Sequence, residues 1–113
     1  MKTESGTCLA QDGTSLFWQG CFPDTSPKAV VHIIHGYAEH IGRYGNVVNE
    51  LLPAGYAVIG NDHRGHGRSE GKRGHVARFQ DFIDDERHFY RDVIKARLPG
   101  IPYFVLGHSM GSL

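Results

Sequence analysis

Apolar positions along this chain recur with two different periods. From Thr7 to Gln11 and from Thr14 to Phe22 they alternate, and Asp12-Gly13 between the runs is a hairpin signal, so two antiparallel strands are predicted. A proline-containing loop spans Pro23 to Lys28. The run Ala29-Val30-Val31-His32-Ile33-Ile34-His35 is β-branched and nearly continuous in apolarity, the pattern of a strand covered on both faces. Between Arg43 and Leu52, Tyr44, Val47, Val48, Leu51 and Leu52 fall at i, i+3, i+4, i+7 and i+8, one face of a helix that Pro53 and Gly55 end. Tyr56-Ala57-Val58-Ile59 predicts a second buried strand, followed by a polar, glycine-rich loop from Asn61 to Gly74 from which no packed core is expected. From Phe79 to Leu98, Phe79, Phe82, Ile83, Phe89, Tyr90, Val93 and Ile94 keep helical spacing, with Asp84, Asp85, Glu86, Arg87 and Arg91 expected largely on the opposite side. Pro99-Gly100 stops that helix, and Pro102-Tyr103-Phe104-Val105-Leu106 predicts a third buried strand.

The order is hairpin, strand, helix, strand, helix, strand. That alternation specifies an α/β fold with parallel strands, helices on the sheet faces and functional groups at the carboxyl ends of the strands. No repeat, low-complexity tract or linker interrupts it, so residues 1–113 are expected to form one partial domain.

Charge and length narrow the classes. Twelve Lys plus Arg balance twelve Asp plus Glu and form no basic stretch, which argues against nucleic-acid binding. The longest apolar stretch, Ala29 to Ile34, is interrupted by His32 and falls far short of the roughly 20 residues of a membrane span. The start, Met1-Lys2-Thr3-Glu4-Ser5, does not support a secretory signal, and a cytoplasmic protein is expected. A two-residue turn at Asp12-Gly13 would set Cys8 opposite Phe17 and leave Cys21 about 13 Å along the ladder, so no disulfide is expected.

Gly107-His108-Ser109-Met110-Gly111 sits where a buried strand ends, the setting a nucleophile elbow requires. Gly107 and Gly111 permit the sharp turn that lifts the Ser109 hydroxyl clear of the backbone. An attacked carbonyl needs oxyanion donors. His35-Gly36-Tyr37-Ala38, after the first buried strand, is a source of one backbone amide, and Met110 supplies the other. Asp62-His63-Arg64-Gly65-His66-Gly67-Arg68-Ser69 is expected to be structural, with Asp62 and Arg64 fixing the loop through charge-assisted hydrogen bonds.

His32-x-x-His35 points its rings to opposite faces of a strand, and His63-x-x-His66 lies in an unrestrained loop without cysteine partners, so no metal is expected. His40 and His108 are expected to be local structural partners, and His75 and His88 solvated. Neither a dinucleotide-binding glycine pattern nor a phosphate-binding loop is present, and no cofactor is expected.

Three spaced motifs carry a resemblance: His35-Gly36-x-x-Glu39-His40-x-x-Arg43-Tyr44, Asp62-x-Arg64-Gly65-x-Gly67-x-Ser69-x-Gly71-x-Arg73-Gly74, and Gly107-His108-Ser109-Met110-Gly111. The chain resembles the monoacylglycerol lipase and lysophospholipase group of α/β-hydrolases, the serine aminopeptidase-like branch. The resemblance implies Ser109 as nucleophile, the backbone N–H groups of Tyr37 and Met110 as the oxyanion hole, no cofactor, and hydrolysis of a small-molecule lipid ester such as a monoacylglycerol or lysophospholipid. Related enzymes cleave peptides, so the bond remains open between ester and amide. In this group the acid and the histidine base follow the serine, so both are expected beyond Leu113, together with a lid that would allow peripheral membrane contact. The resemblance therefore implies the N-terminal portion of a longer hydrolase, inactive or nearly so by itself and left with an open apolar edge after Val105-Leu106. The alternative is a catalytically incomplete remnant that binds a lipid or a partner.

Overall fold

The computed structural model describes residues 2–36 and 39–108. Five strands form one sheet in the order β1-β2-β4-β3-β5: β1 Lys2–Leu9, β2 Ser15–Phe22, β3 Ala29–Ile34, β4 Tyr56–Asn61 and β5 Tyr103–Gly107. β1 and β2 are antiparallel, β2 joins β4 antiparallel, and β3 runs parallel to both β4 and β5.

The hairpin register differs by one residue from that expected of a two-residue turn. Cys8 pairs with Leu16 rather than Phe17, and Cys21 pairs with Thr3. The loop has three residues, Gln11 to Gly13, closed by Gly13 N–H to Ala10 O (2.9 Å) and Ala10 N–H to Thr14 O (2.9 Å). Gly13 holds φ at +87°, the left-handed position that such a loop needs at its last residue. Both cysteines are free thiols.

Cover comes from unequal helices. The segment expected as one helix over Arg43 to Leu52 is a 3₁₀ turn, Ile41–Tyr44, followed by the short helix α1, Gly45–Leu51. These pack Ile41, Tyr44, Val47, Val48 and Leu51 against Val31, Ile33 and Val58 on one sheet face. On the other face, α2 (Phe79–Phe89) runs into a π turn (Tyr90–Ile94) and a last helical turn, α3 (Lys95–Arg97). Phe89, Val93 and Ile94 there close over Trp18, Val30, Ala57 and Ile59. The wide π turn lets the consecutive residues Val93 and Ile94 both face inward.

Two expectations are corrected on this face. Asp85 and Glu86 are not on the solvent side of α2: Asp85 is 2% exposed and lies on the stripe of Phe82 and Phe89. Both carboxylates enter because basic partners meet them there, Arg64 for Asp85 and His32 for Glu86. His88 is half-buried, with Nδ1 3.0 Å from Arg91 Nη2. His75 is exposed.

The third strand, expected to be buried, is instead exposed: among the described residues β5 pairs with β3 alone, at the sheet edge, and its Phe104 and Val105 are 57% and 53% exposed. Among these residues the apolar edge expected after Val105-Leu106 is open.

Candidate active site

The parallel strands deliver their carboxyl ends to one place. Gly107 pairs with Ile34, and His108 N–H donates to Ile34 O (3.2 Å), so the approach to Ser109 runs beside the segment that follows β3. A Cβ on Gly36 would lie 3.0 Å from Glu39 Oε1 and 3.1 Å from the His108 carbonyl oxygen. A side chain at position 36 would crowd both segments, which suits glycine there.

Glu39 closes the gap between them. Its Oε1 accepts from Gly36 N–H (2.7 Å), Tyr44 O–H (2.9 Å) and His108 Nδ1–H (3.1 Å), while Oε2 faces Arg43 at 3.8 Å. Donation from the Gly36 amide, then from Tyr44, lowers the Glu39 carboxyl to about 2. The Tyr44 hydroxyl is pushed up to about 12 by burial and by the same carboxylate.

His35 is fully buried with both ring nitrogens engaged. Nδ1–H donates to Gly36 O (2.6 Å), and Nε2 accepts from His63 N–H (2.9 Å). His63 returns a bond, with Nε2–H donating to His35 O (2.9 Å) and the rings 4.1 Å apart. These partners fix the neutral His35 tautomer. Burial first, then the neighbouring His63, lowers its pKa to about 4.

Behind this pair a polar chain runs into the core. Tyr103 O–H donates to His32 Nδ1 (2.6 Å), and His32 Nε2–H donates to Glu86 Oε1 (2.9 Å). Glu86 Oε2 lies 3.7 Å from His63 Nδ1, and both atoms are buried without a hydrogen bond among the described residues.

The glycine loop after β4 is braced rather than unrestrained. Asp62 accepts from Ile41 N–H at Oδ1 (2.6 Å) and from Arg68 N–H at Oδ2 (2.9 Å). Ser69 Oγ donates to Asp62 O (2.6 Å) and accepts from Phe17 N–H (2.8 Å). Arg73 donates to the Gly67 carbonyl (2.8 Å) and to that of Ser69. Arg64 grips Asp85 through Nε (2.7 Å) and Nη2 (2.8 Å) and reaches Asp12 in the hairpin turn through Nη1 (2.8 Å). Asp62, His63, His66 and Ser69 are all buried, so this loop does contribute to the interior. Satisfied hydrogen bonds allow that where an apolar pattern would not.

Of the residues expected at the site, His35, Gly36 and Gly107 are brought together, with His108 between them and the elbow serine. Ser109, Met110, Gly111 and Tyr37 lie outside the described residues. Glu39 was visible in the sequence as part of the first motif, yet its role as a shared acceptor was not. Glu86 carried a signal that reading by charge overrode, since it stands four residues after Phe82 and on the same helical side. Among the described residues no group of three or more His, Cys, Asp or Glu could hold a metal ion. No described helix is long and apolar enough to cross a membrane.

Residues 25–113 match the family described as serine aminopeptidase, S33. The chain belongs to that family. It is 44% identical over 99 residues to a monoacylglycerol lipase of Mycolicibacterium smegmatis, covering 88% of this chain and 35% of the relative. Against a monoglyceride lipase of Mus musculus the identity is 42% over 100 residues, covering 88% and 33%. A highly thermostable carboxyl esterase from Bacillus coagulans, solved in complex with glycerol, superposes with a TM-score of 0.85 at 29% identity, over 99% of this chain and 38% of that one. The chain thus has the α/β-hydrolase fold and is a member of a hydrolase family whose matched relatives include lipases and esterases. It spans about a third of the length of the curated relatives it matches.

Proposed function

We propose that Ser109 is the nucleophile of a serine hydrolase that cleaves carboxylic esters of lipids, such as monoacylglycerols or lysophospholipids. The observation that carries this reading is the convergence of the His35-Gly36 segment and the Gly107-His108 approach at adjacent strand ends. This is the juxtaposition of oxyanion loop and elbow that acyl transfer needs. Ser109 Oγ attacks the ester carbonyl, its proton passes to a histidine base, and the alcohol leaves as the C–O bond breaks. The amides of Tyr37 and Met110 hold the oxyanion. Water then releases the acid from the acyl-enzyme. In the chain order of this fold the acid and the histidine base follow the nucleophile. Peripheral membrane contact through a lid belongs to the same reading.

A fluorophosphonate probe tests it. Labelling that disappears in Ser109→Ala is the expected result, and p-nitrophenyl esters should be preferred over aminoacyl anilides. Preference for the anilides would move the reaction to amide bonds.

The exposed apolar strand β5 favours a second reading, a non-catalytic remnant that binds a lipid or partner at that edge. A folded sample with no labelling at Ser109 would select it.

A further inference from the structure

We infer that Glu39 is a positioning residue for the reaction, tying the oxyanion segment to the nucleophile elbow through one carboxylate oxygen. The inference rests on the Ser109 reading above and adds a residue to it.

Oε1 of Glu39 takes a donor from each side of the site: the Gly36 amide at 2.7 Å and the His108 ring at 3.1 Å. Gly36 is one peptide before Tyr37, and His108 is one peptide before Ser109. Consecutive Cα atoms are a fixed 3.8 Å apart. Fixing Gly36 against His108 therefore limits how far the proposed oxyanion donor and the nucleophile can drift from each other. A second link, His108 N–H to Ile34 O at 3.2 Å, holds the elbow strand to the end of β3, and the Glu39 carboxylate adds a link at Gly36, two residues further along. Tyr44, reaching Oε1 from the 3₁₀ turn at 2.9 Å, and Arg43, 3.8 Å from Oε2, in turn hold the carboxylate.

A carboxylate suits the task because charge-assisted hydrogen bonds are short and strong. An isosteric amide retains one acceptor oxygen and presents N–H where Arg43 now faces Oε2. Misplacement of reacting groups by about 1 Å can cost on the order of a hundredfold in rate.

The test is saturation labelling by a fluorophosphonate probe, in the 113-residue chain and in the longer natural protein where one exists. Expected are a maximal labelling rate at least about tenfold lower in Glu39→Ala with probe affinity little changed, and recovery of most of that rate in Glu39→Gln. Val48→Ala loosens the packing of α1 on the sheet without touching Glu39 or either segment, and should stay near the wild-type rate. Glu39→Ala labelling at the wild-type rate overturns the inference. So does Val48→Ala slowing as much as Glu39→Ala, since the loss would then be general destabilisation. If Glu39→Ala does not fold, Glu39→Gln against Val48→Ala carries the comparison, with Gln a few-fold slower.

If no form of the wild type labels, the Ser109 reading fails, and the tie is judged on stability. Melting-temperature losses of Glu39→Ala and His108→Ala that fall short of additive in the double variant support the tie. Fully additive losses overturn it.

Discussion

Acidification from about pH 7 to about pH 4 should remove stability through His35 in particular. The folded protein holds this ring neutral, because Nδ1–H already serves the Gly36 carbonyl and Nε2 must stay a lone pair to accept from the His63 amide. The unfolded chain has neither constraint and takes up a proton near the ordinary histidine value of about 6.5. The folded ring waits until about 4. Between those values the unfolded state binds more protons, so stability falls as pH falls through that window. The gap is about 2.5 pH units, and at about 1.4 kcal/mol each the full loss is about 3.5 kcal/mol, of which about 3 is reached by about pH 4. Below about 4 this contribution is gone, and above about 6.5 it is fully present. Urea unfolding of the wild type and His35→Gln across this range isolates it, since the two proteins differ in that ring alone. The wild-type advantage over His35→Gln should shrink by about 3 kcal/mol towards about pH 4. A difference between the two proteins that stays constant across the window would refute the reasoning.

Four further outcomes are expected. Arg64→Ala leaves Asp85 buried without its cation and should cost about 3–5 kcal/mol, and Asp85→Asn in that background should recover part of the loss, both read from urea midpoints. Asp12→Ala removes the exposed arm of the same network and the exposed turn bond from Thr14 N–H (3.1 Å), and should cost about 1 kcal/mol. Phe89→Ala opens the centre of the larger core cluster, against His32 and Trp18, and should cost about 3–5 kcal/mol by the same measurement, or leave the chain unfolded. Finally, Val105→Lys places a charge on the open strand and should shift sedimentation towards monomer if the isolated chain self-associates. Unchanged sedimentation of an associating sample would place its contact elsewhere.

The sequence by itself determined the layer order of this protein. β-branched runs such as Ala29–Ile34 can be buried only inside a covered sheet, and the spacing of Phe82, Phe89 and Val93 can close only one helical face over it. The elbow and its partner segment were legible for the same local reason, since Gly36 and Gly107 stand at strand ends and need no distant information to be placed there.

Only the tertiary structure decided where the charged and imidazole groups went. Asp85 and Glu86 look solvated by composition, and become interior because Arg64 and His32 arrive from elements 21 and 54 residues away. The glycine loop looks unpacked, yet its Asp62 and Ser69 are interior because the Phe17, Ile41 and Arg68 amides satisfy them. Glu39 could be placed in a motif, but its meeting with His108 across 69 residues could not. Hydrophobic periodicity is a property of one segment, whereas the burial of a charge depends on a partner that some other segment must supply.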